Sequence, residues 1–147
     1  MPVPTLVDSH CHLDCLDLSA CGGNLDIVIA TAAAQGVTTF LCVAITLEAW
    51  PEMMAIVRRY PQVWASVGVH PNEREGQEPS FEELITLAED PKVVAIGETG
   101  LDYYRHSGDM TWQQARFRTH IAAARHTRKP LIIHCREAKK DIIDVLR

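Results

Sequence analysis

The feature that most constrains this chain is the regular alternation of two hydrophobic patterns along its length. Short runs rich in apolar and β-branched residues are separated by longer stretches with helical periodicity. Thr5–Asp8, Val37–Ala44, Val63–Val69, Val93–Gly97 and Leu131–His134 read as strands. Leu25–Gln35, Leu47–Tyr60, Phe81–Glu89, Thr111–Arg128 and Ala138–Arg147 read as helices. The boundaries carry their own chemistry. Gly36 is a helix stop, Pro51 sits in a first turn where proline is tolerated, and Ser80 followed by Glu83 forms a capping box. Repeated strand–helix units with connections of a few residues imply a parallel sheet in a single α/β domain. The strands are apolar throughout, as expected when both faces are covered.

Two architectures fit this alternation. One is an open α/β sheet. The other is the N-terminal portion, about five βα units, of a (β/α)8 barrel, which takes roughly 250 residues to close. At 147 residues the chain has too few strands for closure. Arg147 also falls inside an amphipathic pattern (Ile142, Ile143, Val145, Leu146) with no stop signal, so the expectation is an incomplete barrel or an open sheet.

Charge and composition narrow the class of function. A formal net charge of −5 argues against a broad basic surface for nucleic acid. The segment MPVPTLVDSHCH has no basic region followed by an apolar core, so no signal peptide is expected. The longest apolar runs are strand-sized, and no membrane span is expected. Cysteines are odd in number, which predicts reduced thiols in a cytoplasmic protein. Cys11, Cys15 and Cys21 flank two histidines, but their spacing matches no paired zinc motif. The loop Asn72–Pro79 (NEREGQEP) is polar and expected to be solvated.

The candidate chemistry lies where strands end. His10 and His12 are two apart, so on a strand both imidazoles would point to one side and could share a metal ion. Asp8 would share that side and could orient one of them. Glu98 follows the apolar run VVAIG; it is either a solvent-facing strand end or a carboxylate placed opposite a positive group. His134 ends PLIIH and His70 ends SVGVH; each alone could be a core histidine. Placement of all of them at strand ends is what a metal-dependent site on a parallel barrel requires. Asp14, Asp17 and Asp102 could be acids near the site, but loop aspartates are more often turn or cap formers; His120 and His126 read as surface or packing residues of a helix. Trp50, Trp64 and Trp112 are scattered and form no base-stacking platform in the sequence.

Taken together and in order, DSHCHLD, GVHP, IGETGLDYYR and PLIIHCREA resemble the TatD family of metal-dependent deoxyribonucleases within the amidohydrolase-like barrels. The resemblance implies a TIM barrel and a dinuclear centre of divalent ions, whether zinc, manganese or magnesium. By that resemblance His10 and His12 would bind one metal, Glu98 would bridge the two and act in catalysis, and His134 would bind the second. His70, Tyr104 and Arg105 would lie near the substrate. That substrate would be DNA, cleaved at phosphodiester bonds by metal-activated water, with no membrane and no stable protein partner. Family members draw a further histidine from a sixth strand and an aspartate from an eighth, which have no counterpart here. Two other readings remain at this point. A related barrel hydrolase could cleave an amide or ester, or the chain could be a catalytically incomplete fragment that binds metal or associates with a complementary half.

Overall fold

A computed structural model describes residues 5–147. Five strands alternate with five helices: β1 (Leu6–Cys11), α1 (Leu25–Ala34), β2 (Val37–Cys42), α2 (Trp50–Arg59), β3 (Val63–Val67), α3 (Phe81–Leu87), β4 (Val93–Asp102), α4 (Thr111–Thr127), β5 (Leu131–Arg136) and α5 (Lys139–Leu146). All strand pairings are parallel and the spatial order is β1-β2-β3-β4-β5. A sheet that never reverses its order has no switch point, unlike an open doubly wound sheet. It is the wall of a barrel built one βα unit at a time, here an incomplete one.

The helices start and stop for local reasons. Asn24 caps α1 by accepting the Asp26 backbone N–H at 2.9 Å, and Gly36, with φ +92°, lets the chain turn into β2. Pro51 lies in the first turn of α2. Ser80 caps α3, its hydroxyl accepting the Glu83 N–H at 3.1 Å. The buried face of α2 (Met53, Met54, Val57) packs with Val63, Ala65 and Val67 of β3 in the main core, which lies between the sheet and its helices. A second cluster, Leu101, Phe117, Ala138 and Ile142, seats α5.

The fold departs from expectation in three places. The helices cover one face of the sheet. On the other, Val7, Leu41, Trp64 and Val94 line an open apolar groove, with Val7 61% exposed. In β1 the pairing register slips between Asp8 and Cys11, so simple alternation does not carry across it. Asp8 pairs opposite Phe40, whose ring is in the core, and its carboxylate accepts the His10 backbone N–H at 3.1 Å rather than orienting an imidazole. Finally, β4 does not end at Gly97 but runs on to Asp102.

That extension depends on close backbone approach. A Cβ on Gly68 would lie 2.7 Å from the backbone of Gly97, and one on Gly97 would lie 2.6 Å from the Ile132 carbonyl oxygen. Three neighbouring chain segments therefore meet with no room for a side chain. The loop after β3 is largely exposed, as expected, and is anchored from beneath. Arg116, 4% exposed, donates from Nε and Nη2 to both oxygens of Glu78, and from Nη1 to the carbonyls of His70 and Glu73. His120, read from sequence as a surface or packing residue, is fully buried; its Nδ1–H donates to the Arg116 carbonyl and its Nε2 accepts the Val69 N–H.

Two outcomes follow for stability. Gly68→Ala overpacks the β3–β4 contact and should cost about 1–3 kcal/mol or more, read as a lowered urea midpoint. Burial holds the His120 pKa down at about 4, below its ordinary 6.5. The unfolded chain thus binds more protons between those values, and stability falls as the pH drops through that window, by on the order of 3 kcal/mol in full. Urea midpoints measured from pH 7 to pH 4 should show this loss, and His120→Gln should flatten it.

Candidate metal centre

The C-terminal ends of the strands bring four of the expected side chains into one cluster. His10 and His12 come from the end of β1 and the residue after it, Glu98 from β4 and His134 from β5. Glu98 is 8% exposed and sits between the histidines. Its Oε2 lies 3.1 Å from His10 Nε2, and its Oε1 lies 3.2 Å from His134 Nδ1. His70, just beyond β3, completes the group: its Nε2 is 3.2 Å from His134 Nδ1 and 3.9 Å from Glu98 Oε1.

Among the described residues, two groups have donor atoms close enough to share an ion. They are His10, His12 and Glu98, and His70, Glu98 and His134. No cysteine enters either group. Donor separations of 3.1–3.2 Å fit the edges of a coordination shell with bonds of about 2.1 Å. Nitrogen and carboxylate donors in such groups suit a divalent transition ion.

Hydrogen bonds on the far side of each ring decide which nitrogen can ligate. His12 Nδ1–H donates to the Val43 carbonyl at 2.8 Å, leaving Nε2 bare. His134 Nε2–H donates to Asp102 Oδ2 at 2.9 Å, leaving Nδ1 bare and turned towards Glu98. This histidine–carboxylate pair is the arrangement that orients metal-bound imidazoles. His70 is different. Its Nδ1 accepts the Asn72 N–H at 3.1 Å, so in the neutral ring the hydrogen is on Nε2, the atom facing the cluster. Burial, partly opposed by Glu98, pushes its pKa down to about 4 and keeps it neutral. His70 is therefore a hydrogen-bond donor into the cluster, although its distance alone would allow it to be a ligand.

Asp102, read from sequence as a turn former, is fully buried and serves the site. Burial would raise its pKa, but the Asn72 amide, the Arg105 N–H, His134 and the Tyr104 N–H all donate to it and hold the carboxyl below its ordinary range. Its partners sit at 2.9–3.1 Å. Arg105 lines the mouth of the cavity with His12, Ile45, His70, Asn72, Glu73 and Glu98. Tyr104 stands outside it, 59% exposed. Ser66 ties the strands beneath: its hydroxyl donates to the Gly97 carbonyl at 2.6 Å and accepts the Ala44 N–H at 3.0 Å. The Glu98 N–H in turn donates to the Ala44 carbonyl at 3.1 Å.

Fold and site together define a class: parallel α/β barrel proteins with a histidine–carboxylate cluster at the strand ends. Within that class, the chain belongs to the TatD related DNase family, whose model matches residues 7–147. It is 43% identical over 143 residues to the uncharacterized metal-dependent hydrolase YcfH of Escherichia coli K12, covering 97% of this chain and 53% of that protein. It is 34% identical over 122 residues to the 3'-5' ssDNA/RNA exonuclease TatD of Salmonella typhimurium, covering 82% of this chain and 47% of that protein. Among solved structures, YJJV, a TatD homolog from Escherichia coli K12, superposes with a TM-score of 0.79 at 29% identity, covering 95% of this chain and 54% of that one. A TatD family hydrolase from Entamoeba histolytica gives 0.78 at 26% identity, covering 99% and 54%. The chain thus spans about half the length of the relatives it matches.

Asp102→Asn replaces an acceptor facing the His134 N–H with an amide that can present a donor. It should weaken divalent-ion binding by roughly 10–100-fold in isothermal titration with Mn2+, with the far-UV circular dichroism unchanged. Affinity equal to that of the unaltered chain would remove Asp102 from the site.

Proposed function

We propose that this chain carries the metal-binding part of a TatD-type hydrolase that cleaves phosphodiester bonds in DNA or other nucleic acid. The observation that carries the reading is the bridging position of Glu98, one oxygen beside His10 and the other beside His134. A buried carboxylate reaching two groups of nitrogen donors suits a pair of divalent ions. His10 and His12 would hold one ion, His134 the second, and Glu98 both. Such ions lower the pKa of bound water and offset charge on a phosphate.

The remaining side chains fit phosphodiester chemistry. His70 presents a neutral N–H towards the cluster, which can hold a non-bridging phosphate oxygen. Arg105, at the mouth of the same cavity, can pair with a second phosphate oxygen. Asp102 holds the His134 ring and both backbone N–H groups of the Tyr104–Arg105 turn, so ligand and phosphate-binding loop keep a fixed relation. The name of the Salmonella relative supports a nucleic-acid strand as the substrate.

Release of mononucleotides from a single-stranded oligonucleotide should require Mn2+ or Zn2+ and stop on addition of chelator. Glu98→Gln should lower it by about 100-fold or more. Hydrolysis that persists in chelator, or that Glu98→Gln leaves intact, would overturn the proposal. Cleavage of esters or amides with no cleavage of oligonucleotide would shift the assignment to another branch of barrel hydrolases.

A further inference from the structure

Tyr104 is the most exposed aromatic ring beside the site, and its position is fixed from two directions. Its backbone N–H donates to Asp102 Oδ1 at 3.0 Å, while the other oxygen of the same carboxylate accepts from His134. One buried carboxylate therefore spaces this residue from a metal-ligand candidate. The ring itself is backed by Arg136, whose guanidinium carbon lies 3.8 Å from the ring centroid. Arg136 ends β5, two residues after His134, and its carbonyl accepts the Tyr103 N–H at 2.9 Å. So the stack is built from β5 and the turn that follows β4, the two strands that supply His134 and Glu98.

The stack differs from the other aromatic groups of the molecule. Trp64 lies in the apolar groove, with Lys92 above it. Trp112 has Arg74 and Arg116 near its ring and the edge of His106 against it, and it is half-buried. Tyr104 instead leaves 59% of its surface open, with one ring face taken by Arg136. Among the described residues, neither the Tyr104 hydroxyl nor the Arg136 guanidinium has a hydrogen-bond or ion-pair partner. A planar π surface with a cation beneath it and solvent above, held next to a phosphodiester site, has the features that bind an unpaired base. Every base has a π face, so stacking tolerates sequence, and a base in a duplex has no free face to offer.

We infer that the open face of Tyr104, backed by Arg136, is a stacking subsite for an unpaired nucleobase flanking the bond to be cleaved. The inference rests on the proposed function and assigns the residues that would hold a base within it.

The test is binding of a fluorescein-labelled oligothymidylate to this chain in EDTA, followed by anisotropy. The comparison is the same strand with its terminal bases removed to abasic sites. Tyr104→Ala should weaken binding of the intact strand about tenfold and leave the abasic strand nearly unchanged, while Tyr104→Phe and Tyr104→Trp should keep the affinity for the intact strand. Equal loss on both strands would mean that the ring only shapes its loop, and no loss on either would mean that it touches nothing; each result overturns the subsite. Metal-dependent cleavage of the strand by the unaltered chain separates the two ideas. Cleavage with unaffected Tyr104→Ala binding removes the subsite alone, whereas neither cleavage nor binding removes the nuclease reading and the subsite with it.

Discussion

A carboxylate buried among imidazoles organises this molecule. Glu98 is buried with His10 beside one of its oxygens and the bare Nδ1 of His134 beside the other, a position in which a carboxylate with no positive partner would cost several kcal/mol. To place it there, β4 must pass its neighbours at backbone contact distance, which requires Gly68 and Gly97. The sequential sheet follows from βα units laid side by side, and the helices serve as packing on its outer face. The site is where buried polar groups are concentrated, and the rest of the chain fixes where it falls.

Much of the architecture is legible in the sequence because alternating periodicities leave few solutions. All five strands and all five helices appear where hydrophobic pattern and cap chemistry place them, with Gly36, Pro51 and Ser80 acting as expected. Periodicity could not distinguish a barrel wall from an open sheet; the spatial order of strands does. It also could not see the slip in β1, which separates Asp8 from the two histidines, because a bulge depends on the partner strand as well as on local composition.

The candidate site was legible in the residues that cluster and not in their supports. His10, His12, His70, Glu98 and His134 stand out because each is polar at the end of an apolar run. Asp102 was ranked as a turn former before a site residue because, in sequence, an aspartate before two tyrosines looks like any turn. Its role appears only when His134, Asn72 and two backbone N–H groups converge on it across 30 or more residues of chain in the two side-chain contacts. Arg116 and His120 were missed for a related reason. Both lie on α4 among ordinary helix residues, and only tertiary contact shows that they hold the loop after β3 and the backbone before His70. One cue was present: a buried charge needs a partner, so polar residues at strictly core-facing helix positions deserve to be read as anchors.

Ser66 joins the ends of three neighbouring strand segments through one hydroxyl, and Glu98 and Ala44 are joined directly through their backbones. Val43, one residue before Ala44, is what holds His12. Glu98 and the acceptor that aims His12 are thus mechanically linked through a few peptide units. A displacement of Glu98 tugs on the aim of His12, and the two halves of the cluster behave as one rigid jaw instead of two independent claws.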